Sequence, residues 1–249
     1  MDTTKTIKTM SLTITPATEF NANKIEFSAM RKGKMGNKTV YINTSDSKKL
    51  YVQLPFMRAP YGLSAYTDES TGKTSYSLDL SFDSDNTEAI DFMKKLEELD
   101  NKILDIAAEN SEQWLGKKFH RDVLAQALYK PLIRVAKDPQ YPNTFKAKIM
   151  CKPDGSFVPE VYNFQREQVD LDTLQKGQRC CAIVDFASLW FIDSKFGCTV
   201  RLSQLLLDRS EKLQSFAFVG LNLPDNNTKA SDDDQDEEED DIDEGMEEE

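Results

Sequence analysis

The sequence predicts an α+β protein: short antiparallel strands, interrupted by helices, form one domain ahead of an acidic tail. Three observations predict it. Period-two alternation of apolar and polar residues recurs in both halves of the 249-residue chain. One long apolar stripe of helical period separates those halves, and the charge divides unevenly between a body and its C-terminus.

The strands begin at Thr39-Val40-Tyr41-Ile42 and Lys49-Leu50-Tyr51-Val52-Gln53-Leu54. Val40, Ile42, Leu50, Val52 and Leu54 share one face, and Tyr41, Lys49, Tyr51 and Gln53 the other. Pro55, Pro60 and Gly62 make a shaped loop, since proline removes ladder donors. In Ser75–Phe82, Tyr76, Leu78, Leu80 and Phe82 face inward. A helix follows, with Asp85 as N-cap and Glu88 at capping-box spacing. Its stripe is Ile90, Met93, Leu96, Leu99, Ile103 and Ile106, which reads as core packing, and it reaches Glu109. A second helical stretch, Val123 to Tyr129, stops near Pro131.

Strand signals then resume. Phe145, Ala147, Ile149 and Cys151 alternate with Lys146, Lys148 and Met150. Cys181 to Ile192 is apolar on both faces and reads as a central strand, with Trp190 in the core beside Val184, Phe186 and Ile192. Asp193–Gly197 is a turn, Cys198–Leu202 a returning strand, and Phe216–Val219 a last short strand. This order fits a small antiparallel barrel of the oligonucleotide-binding type with helical insertions, a β-sandwich being the competitor. The domain spans residues 1–224, with its helical insertion around 85–130, and residues 225–249 form the tail.

The charge is more telling than its total. The chain carries 31 Lys and Arg against 43 Asp and Glu, a net of -12. Fourteen of those acids lie between Asp232 and Glu249, and every Lys and Arg lies at or before Lys229. The first 231 residues therefore hold 31 positive and 43 less 14, or 29, negative charges, a net of +2. A mildly basic body thus precedes a polyanion that self-repulsion should keep disordered. Ile242 and Met246 are isolated apolar points within it, as in short partner-docking motifs.

Several chemistries are disfavoured. No apolar run reaches the roughly 18 residues of a membrane span and no signal peptide follows Met1, so an intracellular location is expected. Cys151, Cys180, Cys181 and Cys198 lack zinc-ribbon spacing and read as ordinary thiols, and His120 is the sole histidine. Thr71-Gly72-Lys73-Thr74 ends like a phosphate-binding loop, but Thr67 stands where that loop needs its first glycine. A turn with an exposed lysine is the better reading. No nucleophile elbow or zinc-protease motif occurs. Nothing implies a catalytic residue, metal or cofactor, and a carboxylate-based nuclease lacks a recognisable cluster of acids.

The positive signal is cations interleaved with aromatics. Arg31, Lys32, Lys34 and Lys38 sit on a glycine-containing loop that leads directly to Tyr41. Lys49 and Tyr51 share the corresponding face of the next strand, Lys146 and Lys148 repeat the pattern, and Lys73 adds an exposed cation. Cations track phosphates while rings stack on bases without demanding a sequence, which is what single-stranded nucleic acid requires. Alternating Lys and Tyr also keep a half-exposed strand soluble, so no single strand decides.

Leu54–Gly62, Tyr76–Phe82, and Leu189-Trp190-Phe191-Ile192 through Phe196-Gly197 to Leu202-Ser203-Gln204 resemble the single-stranded DNA-binding proteins of large eukaryotic DNA viruses. The resemblance covers much of residues 40–207. It implies an oligonucleotide-binding fold and a role coating strands during viral replication, repair or recombination, in the host nucleus or a cytoplasmic viral factory. The acidic C-terminus is similar to that of phage and bacterial single-strand binders, where it recruits replication proteins. The expectation is a non-catalytic, sequence-tolerant single-stranded DNA binder whose tail competes with DNA and recruits partners. The alternative is an acidic-tailed chaperone or scaffold for basic proteins.

Overall fold

The computed structural model describes residues 12–34, 36–209 and 219–220. The chain divides into two units, Met1–Ser210 and Glu211–Glu249, and every helix and strand below belongs to the first. The acidic tail and, but for Val219, the strand expected at Phe216–Val219 lie outside the described residues.

The chain opens with β1 (Ile14–Pro16), a 3-10 turn at Ala22–Lys24, β2 (Ile25–Phe27) and β3 (Arg31–Lys32). Next come β4 (Lys38–Thr44), β5 (Tyr51–Arg58), β6 (Leu63–Thr67) and β7 (Thr74–Ser81). The helices are α1 (Thr87–Glu109), α2 (Ser111–Leu115) and α3 (Arg121–Val123), which runs into a π turn over Leu124–Leu128. Two-residue strands β8 (Tyr129–Lys130) and β9 (Ile133–Arg134) precede β10 (Thr144–Ile149). β11 (Glu160–Tyr162) and β12 (Gln168–Val169) lead to the long hairpin of β13 (Arg179–Ile192) and β14 (Lys195–Leu207).

Five strands pair in a ring. β14 runs parallel to β10, β10 pairs antiparallel with β7, β7 with β5, β5 with β13, and β13 with β14 again. Two joints are single residue pairs, Lys148 with Arg201 and Arg58 with Ser81. The pairings form one connected network rather than two facing sheets, which sets the sandwich aside. The sheet-rich α+β ring is the partly open arrangement of oligonucleotide-binding folds.

The alternation predicted for β4 and β5 holds: Val40, Ile42, Leu50, Val52 and Leu54 are all buried. They surround an aromatic centre in which Phe20 stacks on Phe186 at 5.6 Å and Phe92 meets Phe145 edge-on at 6.1 Å. Phe92 comes from α1, so the helix fills the core instead of lying beside it. Its buried stripe is centred on Ala89, Phe92, Leu96, Leu99, Ile103 and Ala107, while Ile90, Met93 and Ile106 flank it half-buried. The cap is Asn86, not Asp85: its Oδ1 accepts from Ala89 N–H at 3.1 Å and its amide donates to the Phe56 carbonyl at 2.6 Å. Neighbouring residues with equal capping ability are separated by that tertiary bond. On the outer side of α1, Lys102 donates to the carbonyls of Ala22, Asn23 and Ile25, the last at 2.6 Å. That cation belongs to the fold.

Other expectations shift by a few residues. The helical stretch expected over Val123–Tyr129 is α3 plus the π turn, and Tyr129 already opens β8. The turn expected over Asp193–Gly197 is only Asp193-Ser194, both at positive φ (47° and 68°), which suits the twist of a two-residue hairpin. Phe145, Ala147 and Ile149 are buried as predicted, but Cys151 lies beyond the strand and is exposed.

Trp190 is the main correction. Ala187 is an extra residue, opposed by nothing in β14, because Phe186 pairs with Val200 and Ser188 with Thr199. This β-bulge reverses the alternation. Val184, Phe186 and Leu189 point into the core, Ile192 is 62% exposed, and Trp190 emerges on the outer side. Its indole lies over Gly197, where a Cβ would meet Cζ2 of Trp190 at 2.9 Å and the Lys130 carbonyl at 3.1 Å. Only glycine leaves that seat open.

Candidate nucleic-acid interface

Directly paired residues on adjacent strands project to the same side. The outer side of the ring can therefore be read row by row. One row runs Tyr51, Asp185, Arg201, Lys148, Ser77 across β5, β13, β14, β10 and β7. Tyr51 to Lys148 spans three strand spacings, roughly 14 Å. A neighbouring row holds Tyr41, Ser188 and Thr199, and beyond it lie Thr39, Trp190 and Gly197. Arg31 pairs with Thr39 and sets its guanidinium over the Tyr41 ring, 5.4 Å from the centroid.

The structure sorts the expected contact residues. Arg31 and Tyr41 come together at one end, and Lys49, Tyr51 and Lys148 gather around Asp185 and Arg201. Lys32, one residue from Arg31 in a strand, faces the other side. Lys34 is exposed in the β3–β4 turn, and Lys73 is exposed at the tip of the β6–β7 hairpin. Two lysines are committed elsewhere. Lys38 Nζ donates to the Trp114 carbonyl at 2.7 Å, and Lys146 Nζ lies 3.3 Å from Oδ2 of the buried Asp79.

Arg201 and Trp190 were not anticipated. Alternation within Cys198–Leu202 places Arg201 opposite the buried Val200 and Leu202, so its position was readable. Trp190 was not, because nothing in the sequence marks the bulge.

Asp185 is the acidic centre of an otherwise cationic row. It is 6% exposed, and its Oδ1 has no hydrogen-bond partner among the described residues. Burial raises its pKa, while the charges of Lys49 and Arg201 pull it down. Burial outweighs both charges, so the net direction is upward, toward the neutral acid that repels an approaching phosphate less.

Beside this row, Gln53, Ile183 and Gln204 form the next one on the same side. They line a cleft of about 300 Å³ that also touches Cys181, Leu206 and the turn after β11. In that turn Arg166 adopts positive φ (64°), and its guanidinium has no hydrogen bond or ion pair among the described residues. Close by in sequence, Phe164 stacks on Phe56 at 5.9 Å and stays 45% exposed.

The four cysteines are free thiols, and burial pushes Cys180 up to about 12 and Cys181 to about 11, keeping both protonated. Among the described residues no three His, Cys, Asp or Glu gather as metal ligands. No described helix is long and apolar enough to cross a membrane.

Residues 78–219 match the profile of a family described as "Family of unknown function (DUF5871)". No curated protein matches the chain. Among solved structures, the single-stranded DNA-binding protein of bacteriophage Enc34 in complex with single-stranded DNA aligns at a TM-score of 0.43 and 14% identity. That alignment covers 75% of this chain and 97% of the phage chain. The gp2.5 single-stranded DNA-binding protein of bacteriophage T7 aligns at 0.43 and 14%, covering 74% and 100%.

Proposed function

The chain belongs to DUF5871, a family of unknown function, and for it we propose sequence-tolerant binding of single-stranded DNA without a catalytic step. The outer side of the ring carries this reading. Arg31 on Tyr41, the half-buried Trp190, and the row Tyr51–Asp185–Arg201–Lys148 interleave rings with cations over adjoining strands. Rings accept any base, cations follow the backbone, and neither part selects a sequence. Coating of strands in viral DNA replication, repair or recombination is the setting the sequence resemblance suggests.

The polyanion from Asp232 to Glu249 has a role in the same proposal. With a net of only +2 elsewhere, the body must concentrate its cations locally, and a tethered polyanion competes for them. It also offers replication proteins a docking segment.

The test is a salt series of anisotropy titrations with labelled single-stranded, duplex and RNA oligomers, run on the full chain and on a chain lacking residues 231–249. Single-stranded DNA should bind best, its affinity should fall steeply with salt, and base composition should matter little. The truncated chain should bind more tightly, most at low salt. Equal binding of duplex and single strands would remove the stacking argument. Absence of binding at low salt would favour a chaperone or scaffold that uses the polyanion on basic proteins.

A further inference from the structure

We propose that the cleft beside the Tyr51–Arg201 row is a base pocket that seats one unstacked nucleobase of the bound strand, with Arg166 on its phosphate. This rests on the single-stranded DNA reading and adds a site to it. Three observations carry it. The cleft, about 300 Å³, is continuous with the row, because Ile183 and Gln204 lie two and three residues along β13 and β14 from Asp185 and Arg201. A base lifted off Tyr51 therefore reaches it without leaving the face.

Its chemistry suits a base more than a peptide side chain or a lipid. Cys181, Ile183 and Leu206 give an apolar wall of the kind a flat ring covers. The Gln53 carboxamide is exposed and has no hydrogen bond among the described residues, so it can turn either its donor or its acceptor to the edge of whichever base enters. Gln204 is partly committed: its amide donates to Glu160 Oε2 at 2.9 Å, leaving its Oε1 as an acceptor. That same Glu160 oxygen accepts from Tyr162 OH at 2.9 Å, and Glu167 is held by the Asn163 amide at 2.8 Å. Glu160 and Glu167 are thus hydrogen-bonded, while the guanidinium of Arg166 stays free among the described residues.

The test uses the full chain with an oligothymidylate and the same oligomer made abasic. Ile183→Trp, on the half-exposed outer side of β13, fills the cleft. It should weaken thymidylate binding by about five- to 150-fold, the range of one lost stack, and leave the abasic oligomer unaffected. Arg166→Gly keeps the positive φ without strain and should make the salt slope shallower by about 0.7, one single-strand phosphate, at unchanged melting temperature. Thymidylate affinity equal to or tighter than wild type in Ile183→Trp overturns the pocket and leaves Tyr41, Tyr51 and Trp190 as the stacking sites. Should Ile183→Trp melt early, the Arg166→Gly arm decides, and an unchanged slope overturns the proposal. A wild-type chain that binds neither oligomer overturns the reading of the whole face, which is a different result from either of these.

Discussion

Lys146 and Lys148 lie two residues apart on the same side of β10, and they should behave oppositely when each is replaced by alanine. Lys148 is exposed beside Arg201. Lys146 is half-buried, 3.3 Å from Asp79, which is itself 5% exposed. A cation that contacts a phosphate steepens the dependence of log affinity on log salt by about 0.7 for a single strand. Losing Lys148 should therefore flatten the slope by about that amount. Over a fourfold change in salt, the wild-type advantage would shrink by a factor of roughly 4 to the power 0.7, about 2.6. Losing Lys146 should leave the slope alone. It strips a buried carboxylate of its only ion pair among the described residues, at a cost on the order of 1–3 kcal/mol, and lowers the melting temperature. Anisotropy titrations between low and moderate salt, with melting curves of both variants, separate the two effects. If Lys146→Ala flattens the slope as much as Lys148→Ala, the assignment of Lys146 to the fold is wrong. If Lys148→Ala leaves the slope unchanged, the row across β13 and β14 is not the phosphate track.

Three further outcomes are expected. Trp190→Ala should weaken single-stranded DNA binding by about 1–3 kcal/mol with the salt slope kept, and unchanged affinity would place stacking elsewhere. A double-mutant cycle on Arg31 and Tyr41, read in thermal stability, should give a coupling of about 0.5–1 kcal/mol, and a coupling of zero would contradict the observed geometry. Asp100 is buried, and burial raises its carboxyl from 3.8 to about 6 despite hydrogen bonds from Tyr129 OH and Leu132 N–H. Between those values the folded state holds a proton that the unfolded state releases. Stability from this group is therefore fully present below about pH 4 and lost as pH rises through about 6, at most roughly 3 kcal/mol. Urea midpoints across that window should show the trend in wild type and not in Asp100→Asn, and identical trends would refute it.

Much of the face was legible because β4 and the stretch Lys49–Leu54 keep strict alternation. Once Val40, Ile42, Leu50, Val52 and Leu54 are assigned inward, Tyr41, Lys49 and Tyr51 have nowhere else to go. What the sequence concealed was set by partners far along the chain. Lys38 meets the carbonyl of Trp114 and Lys146 the carboxylate of Asp79, and neither partner leaves a local pattern. Asp85 and Asn86 cap equally well, until the Phe56 carbonyl chooses Asn86. The cleft depends on the short β11–β12 hairpin, whose strands of three and two residues are too brief for any periodicity to show.

The bulge at Ala187 also marks where β13 changes neighbours. Arg179 through Asp185 pair with β5, and Ser188 through Phe191 pair with β4. A bulge bends its strand and sharpens the local twist. The Tyr41–Arg31–Trp190 patch and the Tyr51–Arg201–Lys148 patch thus share one strand without sharing one plane. A ligand engaging both must turn a corner between them, so affinity should grow with oligomer length in two stages rather than smoothly. Below the length that rounds the corner, either patch is occupied alone. Above it, the second patch engages at the high effective concentration of a tethered ligand.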